Sequence, residues 1–193
     1  NIRQHKDRQK FSFYQGDLRD EKDVEKAVAD VETVFHEAAI TSVPVSVENP
    51  DLTMEVNLEG TENLLECSSR NDVDRFVFAS SCAVYGETEE LPVREDQELE
   101  PNSPYAESKM LAEESCFEYE KDKALETVIL RYFNVYGPRQ GGGRYAGVIS
   151  KFLDRLQEGK PPVIFGDGKQ TRDFVDVKDV VRANIQAMTK QGI

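Results

Sequence analysis

The chain has 193 residues, with 37 acidic and 24 basic side chains, so its formal net charge is −13. Such a charge repels phosphate groups, which argues against nonspecific nucleic-acid binding and against adhesion to anionic membranes. Hydrophobic residues make up 38 % of the chain and charged residues 32 %. This composition suits a folded, water-exposed domain and excludes a wholly disordered or membrane-embedded chain.

The three cysteines, Cys67, Cys82 and Cys116, have no CxxC spacing. An odd number without that spacing favours neither a disulfide framework nor a structural zinc site, and we expect a reducing, cytoplasmic setting. No run approaches the roughly 18 apolar residues of a membrane helix, and no basic-then-apolar leader opens the chain. Because it starts at Asn1 and its first methionine is Met54, we expect a piece of a longer protein.

Short β-branched or aromatic runs alternate with longer amphipathic stretches along the chain. This alternation is typical of βαβ units and predicts a mainly parallel sheet without an internal repeat or linker. The predicted strands are 10–15, 33–39, 75–81, 127–137, 162–165 and 172–177. The predicted helices are 21–31, 51–70, 103–123, 145–158 and 179–189.

Four predicted strands end in small or polar residues. Ligands of open α/β sheets bind outside the carboxyl ends of the strands, so we expect these residues to line one cleft. In chain order they are Gly16, Asp17 and Leu18, then Ala38 and Ala39, then Ser80 and Ser81, and finally Asn134.

Tyr105 and Lys109 lie four residues apart in a predicted helix, which places both side chains on one face. An ammonium group favours the phenolate, but lowering a phenol pKa from about 10 to about 7 needs roughly 4 kcal/mol. The lysine would hardly supply this alone, and a cationic cofactor ring beside the phenol would add the rest. A solvated tyrosine and lysine on a helix surface is the alternative for this pair in isolation.

Ser81 ends the predicted strand 75–81, where its hydroxyl can point into the cleft and bind a substrate oxygen. The alternative is a serine that only caps the chain as it leaves the sheet. With Asn57 in the preceding helix, Ser81, Tyr105 and Lys109 resemble the Ser-Tyr-Lys-Asn set of the short-chain dehydrogenase/reductase superfamily, in its extended, nucleotide-sugar branch. The resemblance continues through GDLRD (16–20), HEAAITSVPVSVENP (36–50), RYFNVYGPRQ (131–140) and GDGKQTRDFVDVKDVV (166–181).

The sequence is most similar to UDP-hexose 4-epimerases, and the resemblance implies their fold and cofactor. The fold would be α/β, a Rossmann-like doubly wound parallel sheet with a small, incomplete C-terminal substrate-binding portion. Residues 1–140 would form part of an NAD-binding domain and residues 141–193 part of a substrate-binding region with a returning helix. A homodimer would pair helices 51–70 and 103–123 of each copy as a four-helix bundle.

Site residues follow from the resemblance by position, and it implies no metal. The catalytic set would be Ser81, Tyr105, Lys109 and Asn57. NAD would contact Asp17, Leu18, Ala38, Ala39, Asn57, Ser80, Tyr105, Lys109 and Tyr132. The UDP-sugar would contact Ser42, Ser81, Asn134, Val148, Phe165 and Arg172.

The implied reaction is epimerisation at C4 of a UDP-hexose, of the glucose/galactose or the N-acetylglucosamine/N-acetylgalactosamine pair, through a transient 4-keto sugar. The related 4,6-dehydratases carry Asp-Glu where this chain has Cys82 and Ala83, and decarboxylating relatives keep a Glu at the second position. The family's Gly-rich phosphate loop is absent from this sequence. Alternatives are therefore another nucleotide-sugar oxidoreductase or dehydratase of the family, a noncatalytic nucleotide-sugar-binding fragment, and a cysteine hydrolase using Cys82 with His36.

Overall fold

A parallel three-stranded sheet forms the centre of the protein. The computed structural model describes residues 2, 5, 8–140, 147–190 and 192. Strands β1 (Thr33–His36), β2 (Arg75–Ser81) and β3 (Glu126–Tyr132) lie in the order β1-β2-β3, and both pairs are parallel. The parallel α/β sheet predicted from the sequence is confirmed.

Helices connect the strands as crossover segments, as parallel pairing requires. A chain segment at residues 50–70 is helical throughout but contains one π-helical turn at Glu55–Glu59, and a short 3₁₀ turn at Cys82–Tyr85 follows β2. The α-helices are α1 (Glu21–Val28), α2 (Val43–Glu48), α3 (Pro50–Met54), α4 (Gly60–Arg70), α5 (Pro104–Lys123), α6 (Val148–Gln157) and α7 (Val177–Thr189).

Local signals set the bounds of α5, the helix that carries Tyr105 and Lys109. The Ser103 hydroxyl accepts a hydrogen bond from the amide of Ala106, and Pro104 occupies the first turn, where its missing N–H costs nothing. The helix ends at Lys123, and the next residue, Ala124, has a left-handed backbone conformation. These signals explain why the predicted helix 103–123 agrees with the observed one.

The core lies between the sheet and helices α1, α4 and α5. Side chains alternate along a strand, so Phe76 and Phe78 of β2 point to the same face, where they pack in one buried cluster with Leu65 of α4 and Ala112 of α5. Full burial of each large apolar side chain contributes about 2–3 kcal/mol to folding. Val77 is also fully buried and by the same alternation points to the opposite face.

The C-terminal part of the chain returns to this sheet. Strands β4 (Asn134–Tyr136) and β5 (Phe174–Asp176) pair in parallel as a separate two-stranded sheet, and α7 then packs against β2 and β3. The guanidinium of Arg75, at the start of β2, donates a hydrogen bond to the carbonyl of Ala187 in α7 over 2.7 Å. The last helix is thus fixed to the central strand.

Two predicted strands are wrong. Residues 10–15 and 162–165 form no strand in the structure. Both have side chains suited to a strand, but a strand exists only where a neighbour accepts its backbone hydrogen bonds. Here Phe13 and Phe165 are exposed, by 57 % and 80 %, and the second segment begins at Pro162 directly after Pro161, so neither of these residues has an N–H group.

Smaller differences concern the helices. The predicted helix 51–70 contains the π turn, the short helix α2 was not predicted, and the first helix ends at Val28 rather than residue 31. The predicted start of the helix 145–158 lies outside the described residues, which resume at residue 147. Among the described residues no helix is long and apolar enough to cross a membrane.

Candidate active site

Ser81 and Tyr105 lie close together at the carboxyl end of β2, where the Ser81 hydroxyl also accepts a hydrogen bond from the amide of Ala83 over 3.2 Å. Ser81 is the last residue of that strand, and Tyr105 lies in the first turn of α5. Burial raises the pKa of the Tyr105 phenol above its usual value of 10.0, and hydrogen bonding with the Ser81 side chain partly offsets this rise. The phenol is therefore neutral near pH 7, and removing its proton needs a further positive charge at the site.

Lys109 lies one helical turn after Tyr105, and its ammonium group is buried. Its Nζ donates a hydrogen bond to the carbonyl of Ala79 over 2.8 Å and stands 4.6 Å from the centre of the Phe78 ring. Burial lowers the pKa of Lys109 from 10.5 to about 8, although the charges of Glu37 and Glu113 act in the opposite direction. A buried lysine with a perturbed pKa at a strand end is typical of a functional site.

Asn57 holds the chain segment that follows β1. It lies in the π turn, a distortion that often occurs at functional sites. Its Oδ1 accepts a hydrogen bond from the amide of Ile40 over 2.8 Å, and its Nδ2 donates to the Ile40 carbonyl and to the Ser108 hydroxyl, each over 3.0 Å. The side chain is thus fully used in fixing the loop that carries Ala38 and Ala39.

Besides Asn57, Tyr105 and Lys109, six residues are predicted to contact NAD, and they lie at the ends of β1, β2 and β3 and before α1. Ala38 is exposed and Ala39 is half-buried, whereas the buried Ser80 hydroxyl donates to Glu113 and is engaged inside the protein. The Tyr132 hydroxyl donates to Glu37 over 2.9 Å. The other two residues of this set lie before α1: the Asp17 carboxylate forms an ion pair with Arg19 at 2.6 Å, and Leu18 packs against the core.

The residues predicted to contact the sugar nucleotide are less closely grouped. Ser42 caps the start of α2, with its hydroxyl accepting from the amide of Val45, and Asn134 donates its side-chain amide to the Asp173 carbonyl over 2.9 Å. Burial raises the pKa of Cys82, and the charge of the exposed Arg172 partly offsets this rise, so Arg172 lies near the turn that follows Ser81. Val148 and Phe165 are exposed at the start of α6 and in an irregular segment.

His36 is buried, and its ring is engaged inside the protein. Its Nε2 lies 2.8 Å from the Thr61 hydroxyl, and its ring packs against those of Phe76 and Phe78. Burial, with the nearby Lys109 charge, lowers the pKa of His36 to about 3, and burial raises the pKa of the Cys82 thiol. These observations contradict the cysteine-hydrolase alternative. Among the described residues, no group of His, Cys, Asp and Glu side chains could hold a metal ion.

Sequence reasoning missed two charged side chains beside these residues. Glu113, on the turn of α5 after Lys109, is buried and pairs with Arg131 of β3 at 2.6 Å. Glu37 directly follows β1, and it lies near Lys109 and accepts a hydrogen bond from the Tyr132 hydroxyl. Glu113 could have been found by extending the four-residue spacing of Tyr105 and Lys109 by one more step.

The chain belongs to the NAD-dependent epimerase/dehydratase family, whose model matches residues 1–192. A protein of Methanocaldococcus jannaschii to which UDP-glucose 4-epimerase activity is attributed is 48 % identical over 182 residues, covering 93 % of this chain and 59 % of that protein. Other relatives carry the names UDP-N-acetyl-alpha-D-glucosaminuronate decarboxylase and dTDP-glucose 4,6-dehydratase, each at 36 % identity. The family therefore includes several reactions on sugar nucleotides.

Solved structures confirm the Rossmann-like fold. The UDP-glucose 4-epimerase of Thermus thermophilus, solved with NAD, superposes with a TM-score of 0.88 at 41 % identity, covering 94 % of this chain and 61 % of that one. The UDP-N-acetylglucosamine 4-epimerase of Methanobrevibacter ruminantium, in complex with UDP-N-acetylmuramic acid, gives 0.87 at 41 % identity, covering 91 % and 57 %. The chain thus spans about three fifths of the length of these relatives.

NAD is the cofactor of this family, and the residues of the site fit it. Ala38 is exposed and carries no bulk beyond Cβ, so the backbone after β1 is accessible to a ligand. Lys109 and Tyr105 supply an ammonium and a phenol, which suit the hydroxyl groups of a ribose. Because the pKa of Tyr105 is raised, its phenol can lose a proton near neutral pH only when a positive charge lies close by. The oxidised nicotinamide ring of NAD would carry such a charge.

Proposed function

We propose that the protein catalyses NAD-dependent epimerisation at C4 of a UDP-hexose through a transient 4-keto sugar. The observation that carries this proposal is the meeting of Ser81 and Tyr105 at the end of β2, with the buried Lys109 one turn along α5. The two residues after Ser81, Cys82 and Ala83, offer no carboxylate for eliminating water or assisting decarboxylation. Oxidation and reduction at C4 remain, and epimerisation is their simplest outcome.

Each side chain of the site has one task in this reaction. NAD, when bound, supplies the acceptor for the C4 hydride and a positive charge near the phenol. Tyr105 removes the proton of the C4 hydroxyl as a general base, and Ser81 donates a hydrogen bond to the same oxygen. Lys109 holds its ammonium beside the end of β2, where it stabilises the phenolate and can bind a ribose hydroxyl. Asn57 fixes the loop after β1.

We also propose that the protein forms a homodimer and is located in the cytoplasm. Leu52 of α3 and Phe117 of α5 are 40 % and 55 % exposed, and these helices are the ones expected to pair across a dimer axis. Light scattering on the full-length protein tests the dimer, which a monomer at micromolar concentration would contradict. The three cysteines are free thiols, which fits a cytoplasmic location.

The test of function uses the full-length protein with NAD and either UDP-glucose or UDP-N-acetylglucosamine. We expect the C4 epimer as product, identified by nuclear magnetic resonance, and a loss of about 10³-fold in kcat for Tyr105→Phe, because the general base is removed. Tyr119→Phe is the matched control, since Tyr119 lies on the same helix but bonds to Glu66 at 2.9 Å. A dehydrated product, or unchanged turnover in Tyr105→Phe, would contradict the proposal.

A further inference from the structure

A buried ion pair lies directly behind the candidate active site. Glu113 is 1 % exposed, and its carboxylate is bound by the Arg131 guanidinium: the single Nε–H is shared between Oε1 at 3.0 Å and Oε2 at 3.1 Å, and Nη2 donates to Oε2 at 2.6 Å. None of the tasks assigned above to Ser81, Tyr105, Lys109 and Asn57 uses this pair. Its partners show what it does.

The pair is tied to the chain on both sides of Ser81. The hydroxyl of Ser80, the residue before Ser81, donates a hydrogen bond to Oε1 of Glu113. Tyr85, at the end of the 3₁₀ turn that follows Ser81, accepts a hydrogen bond from Nη1 of Arg131 over 2.8 Å. Ser81 is thus held between two residues that are both bonded to one ion pair.

The sheet and helix α5 make this arrangement possible. In the register of β2 with β3, Ser80 lies beside Arg131, and alternation along each strand places both side chains on the face covered by α5. Three α5 residues at intervals of four then meet three consecutive β2 residues. Tyr105 faces Ser81, Lys109 bonds the carbonyl of Ala79, and Glu113 bonds Ser80.

A buried ion pair is an expensive way to stabilise a core, since well-packed apolar residues of similar volume are often as stable or more so. What the Glu113–Arg131 pair provides is fixed, directional geometry: a bidentate guanidinium fork has a single orientation relative to the carboxylate. Catalytic side chains need such support from residues that do not touch the substrate.

We propose that Glu113 and Arg131 are positioning residues that hold the Ser81 hydroxyl against Tyr105 by fixing Ser80 before it and Tyr85 after it. This inference rests on the proposed roles of Ser81 and Tyr105. It adds two residues to the site that do not contact the substrate and act only through the position of Ser81.

The variant Ser80→Ala tests whether the hydrogen bond between Ser80 and Glu113 positions Ser81. It is made in the full-length protein with NAD. It removes the bond from β2 to Glu113 and leaves all bonds between Glu113 and Arg131 intact, so the fold is expected to be retained. Tyr85→Phe removes the second link and serves as an independent variant. Ser115→Ala is the matched control, because Ser115 is also a buried serine bonded to a glutamate, Glu62 at 3.2 Å, but lies further along α5, away from Ser81.

Two quantities are measured for each variant, once in the protein with Ser81 and once in a Ser81→Ala background. The first is the pKa of Tyr105, measured on isotope-labelled tyrosine by nuclear magnetic resonance without substrate. The second is kcat against KM. We expect Ser80→Ala to raise the pKa of Tyr105 and to lower kcat about tenfold with KM nearly unchanged, since Ser81 acts on the phenol. In a Ser81→Ala background, Ser80→Ala should change neither value.

Comparing Ser80→Ala with and without Ser81 distinguishes a positioning role from a general loss of stability. Equal effects of Ser80→Ala with and without Ser81, or an unchanged Tyr105 pKa in both Ser80→Ala and Tyr85→Phe, would overturn the inference. A protein that titrates as expected but does not epimerise UDP-sugars would contradict the proposed function and leave the positioning role supported. Ser115→Ala should match the unsubstituted protein in both readouts.

Discussion

Replacing Lys109 by methionine should make the protein more stable while removing its activity. The fold holds the ammonium group in a buried site that lowers its pKa from 10.5 to about 8. A pKa difference of about 2.5, at about 1.36 kcal/mol per pKa unit, corresponds to about 3.4 kcal/mol lost from the free energy of unfolding wherever the lysine is charged in both states. Methionine fills a similar volume without a charge.

The lost hydrogen bond reduces this gain. Lys109→Met leaves the Ala79 carbonyl without the ammonium that bonds it over 2.8 Å, at a cost of about 1 kcal/mol. We therefore expect a net increase of about 2 kcal/mol in the free energy of unfolding near neutral pH. Because Lys109 supports the phenolate, the same variant should have almost no turnover.

The effect has a pH dependence with a definite sign. Between the folded pKa of about 8 and the unfolded value of 10.5, the unfolded chain binds more protons, so the unsubstituted protein gains stability as pH rises. The advantage of Lys109→Met is therefore full below pH 8 and disappears as pH approaches 10.5. Urea unfolding at about pH 7 and about pH 10 measures both values.

The exposed Lys151 of α6 provides the control, since Lys151→Met should change stability by no more than about 0.5 kcal/mol at either pH. The reasoning would be refuted by a Lys109→Met variant that is less stable than the unsubstituted protein near neutral pH. A gain of equal size at both pH values would refute it as well, because burial of charge would then not be its cause.

Two further predictions concern residues that support the fold around the site. The pKa of His36 is lowered from 6.5 to about 3, so the free energy of unfolding should fall by up to about 1.4 kcal/mol per pH unit below pH 6.5. Denaturant titrations at several pH values measure this pH dependence. It should disappear in His36→Gln and persist in the control His5→Gln. Gly86 has φ +64°, and an added Cβ would lie 2.0 Å from the Glu100 carbonyl oxygen. Gly86→Ala should therefore lower stability by more than about 3 kcal/mol in thermal unfolding, against about 1 kcal/mol for Gly159→Ala, where φ is also positive but the space is open. A pH slope that survives in His36→Gln, or equal losses at the two glycines, would contradict these explanations.

The elements that the sequence predicted well are those whose signals are local. Strand β2 spans the predicted residues 75–81, and α5 starts one residue after its predicted beginning, because a serine cap and a proline mark its first turn. The strands predicted at residues 10–15 and 162–165 depended on a neighbouring strand that local sequence does not specify. The π turn around Asn57 also has no local signature, since its residues favour an ordinary helix.

The same division holds for the candidate site. The spacing of Tyr105 and Lys109 and the position of Ser81 at a strand end could be read from the sequence, and the structure brings Ser81 and Tyr105 together. The direction of the Lys109 ammonium toward Ala79 and the pairing of Glu113 with Arg131 depend on the register between β2 and β3 and on the height of α5 above them. Such contacts between distant parts of the chain become visible only in the folded protein.

The central claim is that the C4 hydrogen leaves the sugar and returns to the same carbon while Tyr105 moves the hydroxyl proton. The most direct measurement uses UDP-hexose that carries deuterium at C4, converted by the full-length protein with NAD and analysed by nuclear magnetic resonance. We expect a C4 epimer that retains its deuterium at C4, formed at a rate that falls by about 10³-fold in Tyr105→Phe. Epimerisation with loss of deuterium to the solvent, or a product altered at C5 or C6, would contradict it.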